Sequence, residues 1–282
     1  MLSYRHAYHA GNFADVFKHV VLVLALESLR RKDKPFLYLD THAGAGRYDL
    51  RGEMAVKNRE HAGGIGRLWN APAPPAAVTS YLDVIRMLNP HASAPPRWYP
   101  GSPVIARHFL RRGDRMLLAE KHPADGALLR AEFSGDRQVL VFREDGYHLL
   151  KSKLPAREHR ALILIDPAYE LSGETERAYE GVQEGHRRMA TGTFTIWYPV
   201  MPKVNINGLK KRLHESGIRR IVNTELCIHP RDNPLGMNGS GLIIINPPWQ
   251  LDKAIDNLLP WLWRTLSPDG RGDFYVRWLV EE

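Results

Sequence analysis

The sequence predicts an α/β fold built on a mostly parallel sheet, and three observations carry that expectation. Short apolar runs recur along the 282 residues, separated by helical or mixed segments, which is the βα alternation of parallel sheets. Several of these runs stop abruptly at an acid, and in open α/β sheets ligands sit just beyond the carboxyl ends of the strands. The first two runs, finally, lie about 75 residues apart, far more than one crossover helix requires.

In chain order, Phe13, Val16, Phe17, Val20, Leu24 and Leu29 recur at helical spacing between residues 12 and 31, and Lys34-Pro35 closes that segment as a leading helix. Residues 36–40 form a buried strand running into Thr41-His42-Ala43-Gly44-Ala45-Gly46. Further strands are expected at 116–120, 139–142, 161–165, 194–199, 218–228 and 241–246. The long gap after Asp40 contains Ala71-Pro72-Ala73-Pro74-Pro75. Residues 51–100 are therefore expected as an inserted helical subdomain within a domain formed by 1–50 and 101–282.

Hydrophobic residues make up 44% of the chain, enough for a core without covalent staples. A single cysteine, Cys227, excludes an intramolecular disulfide and a cysteine-held zinc, and fits a reducing cytoplasm. The N-terminal residues lack an apolar signal core and no apolar stretch is long enough to span a bilayer, so a soluble cytoplasmic protein is expected. A net charge of +8 favours an anionic partner, nucleic acid ahead of an acidic membrane surface.

The most informative run is Ala161-Leu162-Ile163-Leu164-Ile165, which ends in Asp166-Pro167-Ala168-Tyr169. This ending resembles the Asp-Pro-Pro-Tyr signature of enzymes that methylate amino groups on planar substrates, with Ala168 in place of the second proline. The residue types suit that chemistry. The lone pair of an aromatic amine is delocalised into its ring, and a carboxylate with a backbone carbonyl can accept both amino hydrogens and favour a more nucleophilic nitrogen. Tyr169 can stack on the base, and proline stiffens the turn. On composition alone, Asp-Pro is also an ordinary strand terminus.

Three other run ends fit a nucleoside-type cofactor. The turn after Asp40 lets a ligand approach the backbone at Gly44 and Gly46, but the acidic Asp49 stands where a dinucleotide fingerprint needs a third small residue, so S-adenosylmethionine is expected rather than NAD. Glu120 ends the next strand and can accept from two ribose hydroxyls at once. Glu144-Asp145-Gly146 follows the strand after it and can hold the adenine amino group.

Asn246-Pro247-Pro248-Trp249 matches the amino-methylase signature more closely than the segment at Asp166 does. As the end of a seventh, antiparallel strand it should face away from the cofactor, with Trp249 packing at the far edge. Tyr4, His6, His9, Lys18 and His19 read as surface polar groups without metal-ligand spacing. The dispersed pairs Arg30-Arg31, Arg111-Arg112, Arg187-Arg188, Lys210-Lys211 and Arg219-Arg220 read as solvated helix faces that could add a nonspecific phosphate attraction.

With these residues in hand, the chain resembles the RlmJ family of bacterial methyltransferases, which modify the exocyclic nitrogen of adenine 2030 in 23S ribosomal RNA. The likeness spans essentially the whole chain: Tyr4-Arg5-His6, His9-Ala10-Gly11-Asn12, Lys18-His19, residues 36–48, Tyr99-Pro100-Gly101-Ser102-Pro103, residues 162–169, Trp197-Tyr198-Pro199 and Asn246-Pro247-Pro248-Trp249. The resemblance implies a Rossmann-like, class I S-adenosyl-L-methionine-dependent methyltransferase fold with a seven-stranded, mostly parallel sheet and an inserted helical subdomain. Carried over residue by residue, it implies that His19, His42, Ser102, Glu120, Asp145, Gly146 and Asp166 line the cofactor site, with Asp166 catalytic. Tyr4, Lys18 and Tyr169 would meet the RNA. It also implies a monomer acting on protein-free or early precursor RNA. Methylation of DNA adenine or protein glutamine, or a non-catalytic RNA-binding assembly role, are the competing readings.

Overall fold

The computed structural model describes residues 4–90, 95–170, 172–234 and 236–282. A short 3-10 helix (His6–Tyr8) leads into α1 (Phe13–Arg30), β1 (Leu37–Asp40), β2 (Arg47–Asp49), α2 (Glu53–Asn58), α3 (Ile65–Leu68), α4 (Ala76–Leu88) and β3 (Trp98–Pro100). There follow α5 (Ser102–Phe109), β4 (Arg115–Ala119), α6 (Pro123–Glu132), β5 (Val139–Phe142), α7 (Gly146–Lys153), β6 (Ala161–Ile165) and α8 (Glu174–Arg188). The chain ends with β7 (Thr193–Val200), α9 (Ile206–Glu215), β8 (Ile221–Cys227), β9 (Gly239–Ile245), α10 (Leu251–Leu266) and β10 (Phe274–Val280).

The main sheet has the order β10-β8-β9-β7-β6-β1-β4-β5. Strand pairs from β5 through β7 are parallel, whereas β9 runs antiparallel to both β7 and β8, and β10 antiparallel to β8. The fold is thus the expected Rossmann-like one, with eight strands rather than seven. The extra strand, β10, is a half-buried edge whose apolar pattern is broken by Arg277, so it carries little of the signal of a buried run. The expected strand at 218–228 begins at Ile221, after Gly217 and Arg220 have taken left-handed φ values of 78° and 59°.

Alternation along the strands divides the core between two faces. Tyr38, Met116, Leu118, Leu162 and Leu164 meet α1, α4, α5 and α10 on one side. Leu37, Leu39, Leu117, Ile163 and Ile165 meet α7, α8 and α9 on the other. Helix α1 starts where the Asn12 side chain accepts the Asp15 amide. It is buried on most of its circumference, with α4, α5 and α10 packed against it. The excursion after β1 supplies Ile65, Leu68, Val78, Tyr81 and Leu82 to the same core as α1. Its two ends pair as an antiparallel ribbon, Tyr48 opposite Tyr99.

Candidate active site at the carboxyl edge of the sheet

Beyond Ile165 the chain leaves the sheet through Asp166-Pro167-Ala168-Tyr169, with Tyr169 at a left-handed φ of 53°. Asp166 Oδ2 accepts from Lys18 Nζ at 2.6 Å. The same ammonium lies 2.9 Å from Asp15 Oδ1, one helical turn back on α1, and 5.5 Å from the centre of the Trp197 ring. Lys18 is only 4% exposed. Burial alone would favour loss of its proton, but Asp15 and Asp166 outweigh it and raise the pKa. The Tyr169 hydroxyl donates to the Trp197 carbonyl at 2.8 Å, and the two rings meet edge to face.

From Asp15 the polar path continues outward. Its Oδ2 pairs with His6 Nε2 at 2.8 Å and accepts the Gly11 amide at 2.9 Å. Burial opposes its charge, yet His6 and Lys18 hold the carboxyl well below its ordinary pKa. His6 Nδ1 lies 2.9 Å from the Tyr4 hydroxyl, and the Tyr4 ring stacks on His9. Tyr4 is thereby joined to Asp166 through His6, Asp15 and Lys18.

Next to this cluster lies the turn after β1, where Gly44 and Gly46 have φ of 63° and 82°. The Gly44 amide donates to Glu120 Oε2 at 2.8 Å, and the His122 amide to Oε1 at 2.6 Å. Burial raises the Glu120 pKa. Each oxygen keeps a further lone pair for another donor. Asp40 is fully buried and accepts from Ser102 Oγ at 2.7 Å, the Tyr38 hydroxyl at 2.8 Å and the His42 amide at 3.1 Å, while burial lifts its pKa to about 6. Asp40 and Ser102 therefore brace the turn. His42, whose pKa burial lowers, sets its ring edge-on to Tyr147.

Asp145 caps α7 by accepting the Tyr147 amide at 3.1 Å and pairs with Arg177 at 2.7 Å. A Cβ on Gly146 would lie 1.9 Å from the Thr41 carbonyl oxygen, so only glycine lets α7 begin against the end of β1. Glu120 and the turn at Gly44, then Asp145, Gly146 and His42, and finally Lys18 and Asp166, thus form one stretch of the sheet's carboxyl edge at the β6-β1-β4-β5 positions. The polar groups along this edge, Glu120, Asp145 and Asp166 among them, are largely acceptors, which fits a nucleoside whose ribose hydroxyls and base amino group donate.

Two readings of the N-terminal segment need correction. Lys18 and His19 are buried inside α1 rather than exposed, because helices and sheet cover that element on most sides. His19 is 1% exposed, its Nδ1 lies 2.8 Å from the Tyr99 hydroxyl, and burial lowers its pKa to about 3, which keeps the ring neutral. Asp15, His6 as its partner, Trp197, Tyr147 and Arg177 were not singled out as site residues. Only Asp15, three residues before Lys18 on a helix, carried a pattern that sequence could have exposed.

Asn246 lies at the opposite edge of the sheet, where Phe194 at the start of β7 pairs with Ile245 at the end of β9. Its amide donates to the Thr191 carbonyl at 3.0 Å and its φ is 51°. Trp249, expected to pack, is instead 76% exposed, because the chain turns outward through Pro247-Pro248 before α10 begins.

Known proteins resemble the chain over its whole length. Residues 33–280 match the family model described as "Ribosomal RNA large subunit methyltransferase D, RlmJ". Ribosomal RNA large subunit methyltransferase J of Escherichia coli (strain K12) is 48% identical over 282 residues, all of both chains. The protein of the same name from Haemophilus influenzae is 45% identical over the same full length. Among solved structures, protein LPL1258 from Legionella pneumophila superimposes with a TM-score of 0.88 at 35% identity, covering 96% of this chain and 98% of that one.

Proposed function

Since the chain belongs to the RlmJ family of ribosomal RNA large subunit methyltransferases, we propose that it methylates the exocyclic N6 of an adenine in 23S ribosomal RNA, adenine 2030 by family likeness, acting on protein-free or early precursor RNA. The observation that carries the chemistry is Asp166 at the end of β6, with its Oδ2 held by a buried lysine. Lys18 fixes one carboxylate oxygen, and Oδ1 accepts one amino hydrogen while the Pro167 carbonyl accepts the other. Tyr169 and Trp197 supply an aromatic wall against which the base is held.

When bound, S-adenosyl-L-methionine would supply an electrophilic methyl group to the adenine nitrogen, with S-adenosylhomocysteine as the leaving group and the displaced amino proton passing to solvent. The chain's own residues orient the two partners. Glu120 accepts from the ribose hydroxyls and Asp145 from the cofactor's amino group, while Gly44 and Gly46 hold the turn at left-handed φ and Gly146 lets α7 start against Thr41. His19, His42 and Ser102 complete the cofactor side. Tyr4 contacts the RNA, and the link through His6, Asp15 and Lys18 ties its position to that of Asp166. Residues 51–100 form the unit inserted in the methyltransferase domain, and the working species is a monomer. A net charge of +8 suits the phosphate backbone.

The test is transfer of radiolabelled methyl groups to protein-free 23S ribosomal RNA, duplex DNA and protein in parallel, followed by mass-spectrometric mapping of the product. Label in N6-methyladenosine of the RNA alone is the expected result. Label in DNA adenine or protein glutamine would reassign the substrate, and cofactor binding without transfer to any of the three would favour an assembly factor.

A further inference from the structure

We propose that Arg177, Glu174 and Tyr147 form a clasp that positions the Asp145 carboxylate and so makes the cofactor site select a purine bearing an amino group at its 6-position. The inference rests on the reading of Asp145 as the partner of the cofactor's adenine. Arg177 Nη2 donates to Asp145 Oδ2 at 2.7 Å, while its Nη1 lies 3.3 Å from Glu174 Oε2. Glu174 Oε1 accepts from the Tyr147 hydroxyl at 2.9 Å, and the Tyr147 amide returns to Asp145 Oδ1 at 3.1 Å, which closes the ring of contacts. The guanidinium also lies 4.9 Å from the centre of the Tyr147 ring, which meets His42 edge-on at 5.3 Å. Gly181 on α8 is what admits that ring: a Cβ there would stand 2.5 Å from Tyr147 Cδ1.

The clasp has a chemical consequence. Burial works against the Asp145 charge, but the Tyr147 amide, Arg177 and Lys121 lower its pKa and keep it ionised. An ionised carboxylate only accepts hydrogen bonds. It therefore matches the donor at C6 of adenine and opposes the carbonyl that hypoxanthine carries at the same position. Arg177 acts here as a positioning residue, since it works through Asp145. Glu174 begins α8 directly after the catalytic loop and Gly173, so the same clasp ties the base end of the cofactor site to the segment that carries Asp166 and Tyr169.

Calorimetric affinities for S-adenosylhomocysteine and S-inosylhomocysteine test this in the full chain. The parent should prefer the adenosyl compound by on the order of 10-fold or more, the cost of facing an acceptor with an acceptor. Arg177→Ala should lose most of that preference, Arg177→Lys should recover part of it, and Tyr147→Phe, which keeps the ring, should fall between parent and Arg177→Ala. A purely structural role would weaken both ligands equally and leave the ratio intact, and that result overturns the proposal while sparing the Asp145 reading. A parent that binds both ligands equally overturns both. Should Arg177→Ala fail to fold, the ratio measured on Tyr147→Phe and Arg177→Lys decides.

Discussion

Lys18 Nζ stands 2.6 Å from Asp166 Oδ2 and 2.9 Å from Asp15 Oδ1, a buried cation shared by two carboxylates that lie 151 positions apart in the chain, Asp15 against Asp166. Removing the cation leaves two negative groups in a site where Asp15 is only 2% exposed. Lys18→Met should therefore destabilise the fold by on the order of 3–5 kcal/mol in denaturant unfolding, with part of the loss restored by adding Asp15→Asn. Stability equal to the parent would mean that the triad is not formed in solution.

Glu120 offers a test of the cofactor side. Glu120→Gln should weaken S-adenosylmethionine binding by about 1–3 kcal/mol, because an amide nitrogen replaces one acceptor. Burial already raises the Glu120 pKa, so acidification protonates it earlier than an ordinary carboxyl. Parent affinity should therefore fall on the acid side, and the variant's affinity should be flat over the same range. Identical pH profiles by calorimetry would remove Glu120 from the site.

Asp40 predicts a stability effect with a defined sign. Burial raises its pKa from 3.8 to about 6, so between these values the folded state holds a proton that the unfolded chain has released. Its contribution is complete below the lower value and lost as pH rises through the upper one. The advantage of the parent over Asp40→Asn should shrink by on the order of 2–3 kcal/mol from about pH 4 to about pH 7. A constant difference across that range in urea unfolding would contradict the buried, proton-retaining carboxyl.

The buried parallel strands were legible because each is a short apolar run with a hard stop: residues 161–165 matched β6 end for end, and Asp40, Glu120 and Asp166 follow or close such runs. Of the edge elements, β5 was legible at 139–142, but β10 and the β2–β3 ribbon were not. β10 is half-exposed and interrupted by Arg277, while β2 and β3 are three-residue pieces that exist only through the pairing of Tyr48 with Tyr99 across the insertion. In the site, residue types at strand ends could be read one by one, but partnerships at long sequence separation could not. Arg177 with Asp145, and Lys18 with Asp166, become visible only when α8 and α1 are placed against the sheet.

The account stands on the choice between two methylase-like motifs at opposite edges of one sheet. Methyl transfer to 23S ribosomal RNA by Asp166→Ala and Asn246→Gly, compared with the parent under single-turnover conditions, addresses that choice directly. Glycine is used at position 246 because the φ of 51° there would strain alanine. Asp166→Ala should bind the cofactor and remain folded yet lose transfer altogether, whereas Asn246→Gly should keep most of the parental rate. An active Asp166→Ala beside a folded but inactive Asn246→Gly would contradict the account and move the catalytic site to the other edge of the sheet.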